Sequence, residues 1–374
     1  MEKKHLLIDL SKSRHPCNGQ GQFCILLGNE LSKIHTESFD KTFLVEKTGK
    51  KTFPTQDEFR WLSHWHRVRV PSLIRSMLQL FNPQYDLWHV TAQDSEFWPL
   101  TGKTPVILTI HDLNFLIEAK TERRRKRRLK RLQKRVDRAS YLTTISDFSA
   151  SEIRRHLNIG NKAVYVIYNG GIKKENVEIP SVERPDFLPD DDFLFTIGTV
   201  KEKKNFHVLI PWLKLMKGTR LVISGNDETS YARQIREQAR EADLEDRVFL
   251  TGEISNAMRD WLYQHCQAFV FPSLAEGFGI PVIEAMSYGK PVFISDKTSL
   301  PEVASKAGFY FGSFTPVDML KVFNEGMELY HNDKQMREQI IQRSRFFSWE
   351  KSARQYHELY DRILAGEISM GEKL

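Results

Sequence analysis

Hydrophobic and polar positions along the chain repeat one arrangement, in which a short apolar run is followed by a longer stretch with apolar residues at helical spacing. The short runs predict buried strands, and the longer stretches predict helices that cover a sheet. In the first half the predicted elements are strands at His5–Leu10, Thr42–Val45, Leu87–Val90, Val106–Ile110, Tyr141–Thr144 and Ala163–Ile167, and a helix from about Gln22 to Lys33. Strands that alternate with helices indicate an α/β fold with a mostly parallel sheet.

A segment of different character separates the two halves. Residues 173–192 contain three prolines, many acidic residues and little periodicity, so we interpret them as an interdomain linker. The earlier arrangement then resumes, with strands predicted at Phe193–Ile197, Arg220–Ile223, Arg247–Leu250, Ala268–Phe271 and Pro291–Ile294, and a helix at Phe206–Leu215. The second half therefore predicts a second sheet covered by helices.

A last helix is predicted from Trp349 to about Ala365. Its apolar residues at helical spacing are Tyr356, Leu359, Tyr360 and Leu364. Because this helix follows a complete set of sheet elements, we expect residues 346–374 to cross back to the first domain. The predicted organisation is a first domain at 1–172, the linker at 173–192 and a second domain at 193–345, which suits a chain of 374 residues.

Composition is that of a soluble globular protein, with 40% hydrophobic and 28% charged residues. The three cysteines are few, odd in number and lack metal-ligand spacing, so we expect a reducing, cytoplasmic setting. Lys3 and Lys4 precede an apolar run that Asp9 interrupts, which we interpret as a first strand and not as a signal peptide. No window approaches the ~18 apolar residues of a membrane span.

The net charge of +7 is concentrated in one predicted helix, at residues 123–138. Its densest basic positions include Arg123, Arg124, Arg127, Arg128 and Arg131. Leu129, Leu132 and Val136 give it one apolar side, so one interpretation is an ordinary solvated helix face. Our hypothesis is that it attracts anionic lipid head groups or a lipid-pyrophosphate acceptor at the inner face of the plasma membrane. The run lacks interleaved aromatic residues, so we expect no nucleic-acid partner.

The segment from Phe271 to Pro291 carries the most chemistry. A strand ends at Phe271, Pro281 suits the first turn of a helix and Gly289 suits its C-terminal cap. The backbone amides at the helix start belong to Phe278, Gly279 and Ile280, and such amides favour anions and sugar hydroxyl oxygens.

Two carboxylates frame that helix start, Glu276 in the loop and Glu284 one turn into the helix. A carboxylate accepts two hydrogen bonds, which suits the vicinal hydroxyls of a ribose or hexose. Either glutamate alone is more often a solvated residue near a helix start. The pair, together with the glycines, the proline and the preceding strand, favours a binding site.

This segment resembles the Glu–x7–Glu signature of the retaining GT-B glycosyltransferases of family 4. Further resemblances occur in order along the chain, at His111–Asp112, Thr144–Ser149, Val166–Gly171, Ile197–Asn205, Ser299–Val303 and Phe347–Trp349. The resemblance implies a GT-B fold, in which two Rossmann-like, doubly wound parallel-sheet domains face a cleft that holds the active site. It also implies a nucleotide-sugar donor and no metal or other cofactor.

Roles for the signature residues follow from the resemblance. It implies that Glu284 binds the nucleotide ribose and that Glu276 faces the donor sugar. The amides of Phe278, Gly279 and Ile280 would bind sugar hydroxyls or phosphate.

The departing nucleoside diphosphate needs cations, and Lys203 and Lys204 on the loop after a strand are the candidates. The family commonly has arginine then lysine there, so Lys203 departs from its pattern and supplies a point charge instead of a fork.

Other site residues are implied by the same resemblance. Gly21 would meet the donor diphosphate or the acceptor, although a Gly-x-Gly alone is more often a turn. His111 would contact the donor sugar, and we do not assign it as a general base. The loops that contain Gly225, Thr251 and Ile254 would border the base.

The implied reaction is transfer with retention of a hexose-type sugar, mannose or glucose-like, to an acceptor hydroxyl. No covalent nucleophile stands out, so positioning and electrostatics would do the work. GDP-mannose and UDP-hexoses are the leading donors. The implied setting is lipopolysaccharide, O-antigen or capsule assembly, with a glycan or glycolipid acceptor.

Metal ligation is not expected at the two candidate motifs. Asp190–Asp192 contains an Asp-x-Asp before a strand, which we interpret as a solvated turn, and His64 and His66 lack further ligands at clear spacing.

Two other classes of function remain open. Gly19 and Gly21 followed by Glu46 suggest a dinucleotide-binding oxidoreductase, but Cys24 occupies the third glycine position and residues 271–291 stay unexplained. A catalytically silent nucleotide-sugar-binding module is the other alternative. Release of nucleoside diphosphate from a donor in the presence of acceptor separates all three.

Overall fold

The structure, a computed structural model, describes residues 3–16, 18–45, 59–61, 85–99, 102–171, 185–188 and 192–368. The chain forms two compact units. The first unit comprises Met1–Gly170 together with Trp349–Leu374, and the second unit comprises Gly171–Ser348. Most of the segment interpreted as a linker lies outside the described residues, apart from 185–188 and 192.

Each unit contains one sheet in which every pairing is parallel. The first sheet has strands β1 (Lys4–Asp9), β2 (Phe39–Val45), β3 (Phe59–Trp61), β4 (Leu87–Val90), β5 (Val106–Ile110), β6 (Tyr141–Thr144) and β7 (Val164–Val166). The second has β8 (Phe193–Ile197), β9 (Arg220–Ser224), β10 (Val248–Gly252), β11 (Ala268–Phe271), β12 (Val292–Ser295) and β13 (Gly308–Phe311). The predicted α/β class with two Rossmann-like parallel sheets is confirmed.

The helices that the structure describes follow the strands in alternation. They are α1 (Gly19–Lys33), α2 (Phe115–Glu118), α3 (Glu122–Arg138), α4 (Asp147–His156), α5 (Leu209–Leu213), α6 (Ser230–Glu241), α7 (Asn256–His265), α8 (Ile280–Ser287), α9 (Leu300–Ala304), α10 (Pro316–Asn332), α11 (Met336–Arg345) and α12 (Trp349–Leu364). Among the described residues, none of these helices has the length and apolar character needed to cross a membrane.

Two helix predictions need correction at their ends. Helix α1 begins three residues before the predicted Gln22, because the Asn18 side chain accepts from the Gly21 amide and so caps an earlier start. The helix predicted at Phe206–Leu215 is instead a 3-10 turn at Phe206–Val208 followed by the short α5. The Leu215 amide donates to the Trp212 carbonyl, a three-residue span that tightens the chain where a longer helix would continue.

The last helix, α12, packs within the first unit. Tyr356 and Tyr360 are fully buried there, and the Tyr356 ring lies 6.3 Å from that of Phe23 on α1. The Tyr360 hydroxyl lies 2.6 Å from His89 Nδ1 on β4. The buried side of α12 ends with Ile363, whereas the predicted Leu364 is only half-buried.

Each sheet has a topological switch point, where the chain stops adding strands on one side of the first strand and continues on the other side. The orders are β3-β2-β1-β4-β5-β6-β7 and β10-β9-β8-β11-β12-β13, so the reversals lie between β1 and β4 and between β8 and β11. Connections leave in opposite directions at such a point and open a crevice beyond the carboxyl ends of the strands, where ligands bind in folds of this kind. In the second unit the loops after β8 and β11 meet at this crevice.

Candidate active site

Helix α8 starts at the carboxyl end of β11 and is shaped by two glycines and a proline. Gly279 precedes it with a φ of +119°, and a side chain there would bring a Cβ to 2.8 Å from Leu300 Cδ2. Pro281 lies in the first turn, and Gly289, with a φ of +68°, follows the last, as the sequence predicts. Among the described residues no side chain caps α8. Pro281 has no N–H, and the Val282 amide donates to the Gly279 carbonyl at 2.9 Å, so the Ile280 amide is the donor that the start of this helix offers to an anion or a hydroxyl.

Glu276, in the loop before α8, forms a buried ion pair with Lys204. The Lys204 Nζ lies 2.6 Å from Glu276 Oε1, and the two side chains are only 11% and 13% exposed. Burial raises the pKa of Glu276, but the charges of Lys204 and Lys203 and hydrogen bonds from Lys204 and Ser273 outweigh it and lower that pKa overall. Glu276 is therefore a carboxylate at neutral pH.

The Lys204 side chain is positioned by the loop after β8. It lies beside Gly198, which has a φ of +149° and where a Cβ would come within 3.1 Å of Lys204 Cε. Its ammonium also lies 4.6 Å from the centre of the Phe271 ring, a cation–π distance. Asn205, in the left-handed region with a φ of +59°, ends the turn.

Ser273 joins the two loops at the crevice. Its hydroxyl lies 2.6 Å from Glu276 Oε1 and 3.2 Å from the Lys203 carbonyl, which also accepts from the Leu274 amide at 2.8 Å. A hydroxyl has one proton, so it donates to one of these oxygens at a time. Lys203 and Lys204 are thus fixed to the same loop that carries Glu276.

Two hydroxyl residues from the loop after β12 hold the backbone of Glu276. Thr298 Oγ1 accepts from the Glu276 amide at 3.1 Å. Ser299 Oγ lies 3.1 Å from the Glu276 carbonyl and 2.8 Å from the Phe278 carbonyl and donates to one of them at a time. Thr298 has a φ of +55°, which is rare for a β-branched residue. Strain of this kind costs about 1–3 kcal/mol and is typical of functional sites.

The side chain of Phe278 is an anchor for the same loop. It is 3% exposed, and its ring packs edge-on against Phe347 with the centroids 5.3 Å apart. The predicted role of Phe278 concerns its backbone amide, and the buried side chain fixes where that amide lies.

Glu284 lies on α8 and is buried apart from 7% of its surface. The Tyr263 hydroxyl donates to Glu284 Oε2 at 2.9 Å, and Arg259 Nη1 lies 3.6 Å from Glu284 Oε1. Both partners come from α7 and are four residues apart, so they project from one helix face. That spacing was readable in the sequence, but nothing in the sequence places α7 beside α8.

The residues predicted near the base lie at the carboxyl ends of β9 and β10 or just beyond. The Gly225 amide donates to the Gly252 carbonyl at 2.8 Å, and a Cβ on Gly225 would meet the Gly198 carbonyl oxygen at 2.4 Å. Thr251 Oγ1 lies 2.8 Å from Ser224 Oγ. Ile254 is half-buried in the loop before α7. Glycine at 225 therefore lets two loops of the crevice approach closely.

In the first unit, His111 follows β5 and is 5% exposed. Its Nε2 lies 2.8 Å from the Thr91 carbonyl, an acceptor, which assigns the ring proton to Nε2. Burial lowers the pKa of His111 to about 4. The imidazole is therefore neutral at physiological pH, and its Nε2 proton is held by the Thr91 carbonyl.

Gly21 has a local structural role. Its amide donates to Asn18 Oδ1 at 2.7 Å as part of the α1 cap, and a Cβ at this position would lie 1.9 Å from the His15 carbonyl oxygen. The glycine therefore lets the loop after β1 fold against α1. A diphosphate contact by this amide would have to displace the cap.

The basic helix α3 has the predicted single apolar side. Leu132 and Val136 are buried in the core of the first unit, and Leu129 packs against it. Two arginines near its end are structural, since Arg135 donates to the Gln93 carbonyl and Arg138 to the Pro99 carbonyl. The five predicted to meet an anionic partner are all exposed: Arg123, Arg124, Arg127, Arg128 and Arg131.

Several sequence candidates lie outside the described residues, namely Glu46, His64, His66, Asp190 and Asp191. Within the described ranges there is no group of three or more histidine, cysteine, aspartate or glutamate side chains that could hold a metal ion.

Two family profiles match the chain, one to each half. The profile of the Glycosyl transferases group 1 matches residues 181–346, and that of Glycosyltransferase Family 4 matches residues 32–170. The first match includes the whole segment with Glu276 and Glu284, and the second includes His111 and α3.

Curated relatives agree with these profiles. O-antigen chain mannosyltransferase RfbU of Salmonella typhimurium is 29% identical over 182 residues, which are 48% of this chain and 48% of that protein. O-antigen chain mannosyltransferase B of Escherichia coli is 31% identical over 215 residues, 54% of this chain and 56% of that protein. The chain therefore spans about half the length of the curated relatives it matches.

A solved structure extends the likeness over nearly the full length. Anabaena Alr3699/HepE in complex with UDP and glucose is similar with a TM-score of 0.68 and 17% identity, covering 96% of this chain and 99% of that one. At this level of identity the likeness concerns the fold.

Proposed function

This chain belongs to the group 1 glycosyltransferases of the GT-B fold, and from that premise we propose that it transfers a hexose-type sugar from a nucleoside-diphosphate sugar to an acceptor hydroxyl. The observation that carries the proposal is the buried Lys204–Glu276 ion pair at the crevice of the second sheet, directly before the amino end of α8. The two loops that meet at this crevice thus carry a cation suited to a leaving phosphate and a carboxylate suited to a sugar hydroxyl.

Charge is the main requirement of the proposed step. The bond from the anomeric carbon to the diphosphate oxygen breaks, and a bond from that carbon to the acceptor oxygen forms. The acceptor proton passes to the departing diphosphate, with retention at the anomeric carbon. Lys203, Lys204 and the backbone amides of Phe278, Gly279 and Ile280 would stabilise the negative charge that grows on the leaving group.

The two glutamates would divide the donor between them. Glu276, ionised at neutral pH, would accept from a hydroxyl of the donor sugar. Glu284 would accept from the hydroxyls of the ribose, and the loops of Gly225, Thr251 and Ile254 would border the base. His111, neutral, would contact the sugar without removing a proton.

The names of the relatives guide the choice of substrates. Because two of them are O-antigen chain mannosyltransferases, we propose GDP-mannose as the first donor to test and a glycan or glycolipid of lipopolysaccharide type as acceptor. UDP-hexoses come second, because Alr3699/HepE was solved with UDP and glucose. We expect transfer to need no metal, so EDTA should leave the rate unchanged.

The test is a thermal-shift and nucleoside-diphosphate-release screen over GDP-, UDP-, dTDP- and ADP-sugars. One of them should raise the melting temperature and release its diphosphate faster when acceptor is added. Binding without release under any acceptor would favour a silent binding module. If no nucleotide sugar binds and NAD does, the proposal is wrong and the dinucleotide alternative replaces it.

The exposed face of α3 supports a peripheral location on an anionic membrane. Changing Arg123, Arg124, Arg127 and Arg128 to glutamine should release the protein from vesicles that contain anionic lipid. The matched control removes four exposed lysines of the second unit instead, Lys214, Lys217, Lys306 and Lys334. If both variants lose vesicle binding equally, the binding depends on the net charge of the protein and not on the exposed face of α3.

A further inference from the structure

Two residues of α7 hold the Glu284 carboxylate by different oxygens. The Tyr263 hydroxyl lies 2.9 Å from Oε2, and Arg259 Nη1 lies 3.6 Å from Oε1. Neither residue belongs to the Glu–x7–Glu segment, and neither is among the residues proposed to contact the donor. Together they restrict rotation of the carboxylate about its last side-chain bond.

The Tyr263 hydroxyl has a fixed position because its ring is locked in the core. The ring is fully buried, and its centroid lies 5.0 Å from that of Phe195, 5.5 Å from Phe269 and 5.8 Å from Tyr288. Burial, and then the charge of Glu284, raise the pKa of Tyr263 well above its usual value. The hydroxyl therefore keeps its proton and donates to the carboxylate.

Arg259 supplies the complementary charge. Its side chain is 19% exposed, against 9% for that of Glu284. Burial alone would lower the pKa of Arg259, but the neighbouring charge of Glu284 is the first of the effects that raise it overall. Glu284 therefore faces a permanent cation on one side and a fixed hydroxyl donor on the other.

Such a carboxylate is suited to reading a vicinal diol, since the two oxygens must face the two hydroxyls together. We propose that Tyr263 and Arg259 are positioning residues that orient Glu284 toward the ribose and thereby set the preference for ribonucleotides over 2′-deoxyribonucleotides. This inference rests on the proposed ribose contact of Glu284. A site built to bond a hydroxyl rejects the analogue that lacks it, so the preference is measurable.

The experiment measures Kd by titration calorimetry for GDP and UDP and for their 2′-deoxy counterparts. Tyr263→Phe removes one oxygen and keeps the ring. It should weaken binding of the ribonucleotide by about tenfold and change that of the deoxynucleotide by less than about twofold. The ratio of the two constants should therefore move toward one. Arg259→Gln, on a partly exposed side chain, should move the ratio in the same direction and serves if Tyr263→Phe does not fold.

The matched control is Tyr231→Phe, which removes another buried hydroxyl of the second unit, one that lies 2.8 Å from His207 Nδ1. Its ratio should equal that of the unchanged protein. If Tyr263→Phe lowers the melting temperature but keeps the ratio, the residue only joins α7 to α8 and the inference is overturned.

A further variant separates failure of the inference from failure of the proposed function. Glu284→Ala should abolish the preference whatever orients the carboxylate. If Glu284→Ala loses the preference for the ribonucleotide but Tyr263→Phe and Arg259→Gln both keep it, the inference is overturned and the proposed ribose contact stands. An unchanged preference in Glu284→Ala overturns the proposed ribose contact and the inference together.

Discussion

Both sheets have the same type of strand reversal, but the buried ionisable groups at their carboxyl edges differ in whether they are charged or neutral. In the second sheet, Lys204 and Glu276 are both charged and paired in a nearly buried position. In the first sheet, three buried ionisable groups are neutral or have a pKa that is shifted toward the neutral form. They are Asp9 and His89, on the two strands beside the reversal, and His111, after the next strand.

The first sheet shows this in three residues. Burial lowers the pKa of His89 to about 3 and that of His111 to about 4, so both rings are neutral at physiological pH. Burial also raises the pKa of Asp9, against hydrogen bonds from Ser95 and Ser11. Burying an unpaired charge is costly, so the neutral groups of the first sheet stabilise the fold. In the second sheet the two charges are paired, so they remain available to interact with a ligand whose charge changes.

The largest effect that would test this contrast is expected from Lys204→Met. Transfer should fall about 100-fold, because the cation proposed for the leaving diphosphate is lost. The charge of Lys204 also opposes the effect of burial on Glu276, so its removal should raise the pKa of Glu276. The acidic limb of the pH–rate profile should then move to higher pH, because ionised Glu276 is lost at a higher pH as acid is added.

Lys201→Met is the control for that prediction, since Lys201 is an exposed lysine of the same loop. It should keep both the rate and the pH profile. Identical profiles for the two variants would mean that Lys204 is not what keeps Glu276 ionised.

A smaller effect, on stability, is expected from His89 in the first sheet. Its ring nitrogens lie 2.6 Å from the Tyr360 hydroxyl and 2.8 Å from Thr109 Oγ1. The pKa of His89 is about 3 when folded and near 6.5 when unfolded, so its contribution is complete above about pH 6.5 and is lost as the pH falls toward 3.

In that pH range the free energy of unfolding should fall by up to about 1.4 kcal/mol per pH unit from this residue alone. His89→Gln should flatten the dependence, as measured by urea unfolding between pH 4.5 and 7.5, even though it lowers stability at neutral pH. His35→Gln, an exposed histidine of the same unit, should leave the slope unchanged. If the free energy of unfolding depends on pH equally in the unchanged protein and in both variants, His89 binds a proton as readily when folded as when unfolded, which contradicts the prediction.

The smallest effect is expected from Thr298→Gly at the loop that holds Glu276. Glycine relieves the strain of a φ of +55° but removes the hydroxyl that accepts from the Glu276 amide. Each change is worth about 1 kcal/mol, so stability should change little while transfer falls about fivefold.

Ser305→Gly is the matched control, because Ser305 also has a positive φ, of +50°, in the same unit. It should stabilise the protein slightly and leave transfer unchanged. If Thr298→Gly keeps full activity, the Thr298 hydroxyl does not position Glu276.

Much of the fold was predictable because the central strands are buried on both faces. Runs such as Leu87–Val90 and Ala268–Phe271 are buried throughout, and their bounds in the structure are those predicted. Helix ends were harder, since the start of α1 depends on the Asn18 cap and the shortness of α5 on local turns.

The candidate site was predictable only where its residues follow one another closely. The spacing of Glu276 and Glu284 is visible in the sequence, but the pairing of Glu276 with Lys204 joins residues far apart in the chain and requires the order of β8 and β11. Ser273, Thr298 and Tyr263 act through single hydroxyls whose partners are set by packing. Such roles have no sequence signal, because serine, threonine and tyrosine are common in loops and cores alike.

The central claim is that Glu284 binds the nucleotide ribose whereas Glu276 acts on the donor sugar, and one paired measurement tests it most directly. With the donor found in the screen, nucleotide Kd and kcat are measured for Glu276→Gln and Glu284→Ala. Glu284→Ala should weaken nucleotide binding about tenfold or more, whereas Glu276→Gln should keep Kd within about twofold and lower kcat about 100-fold. Equal weakening of nucleotide binding in both variants, or full kcat in Glu276→Gln, would contradict the account.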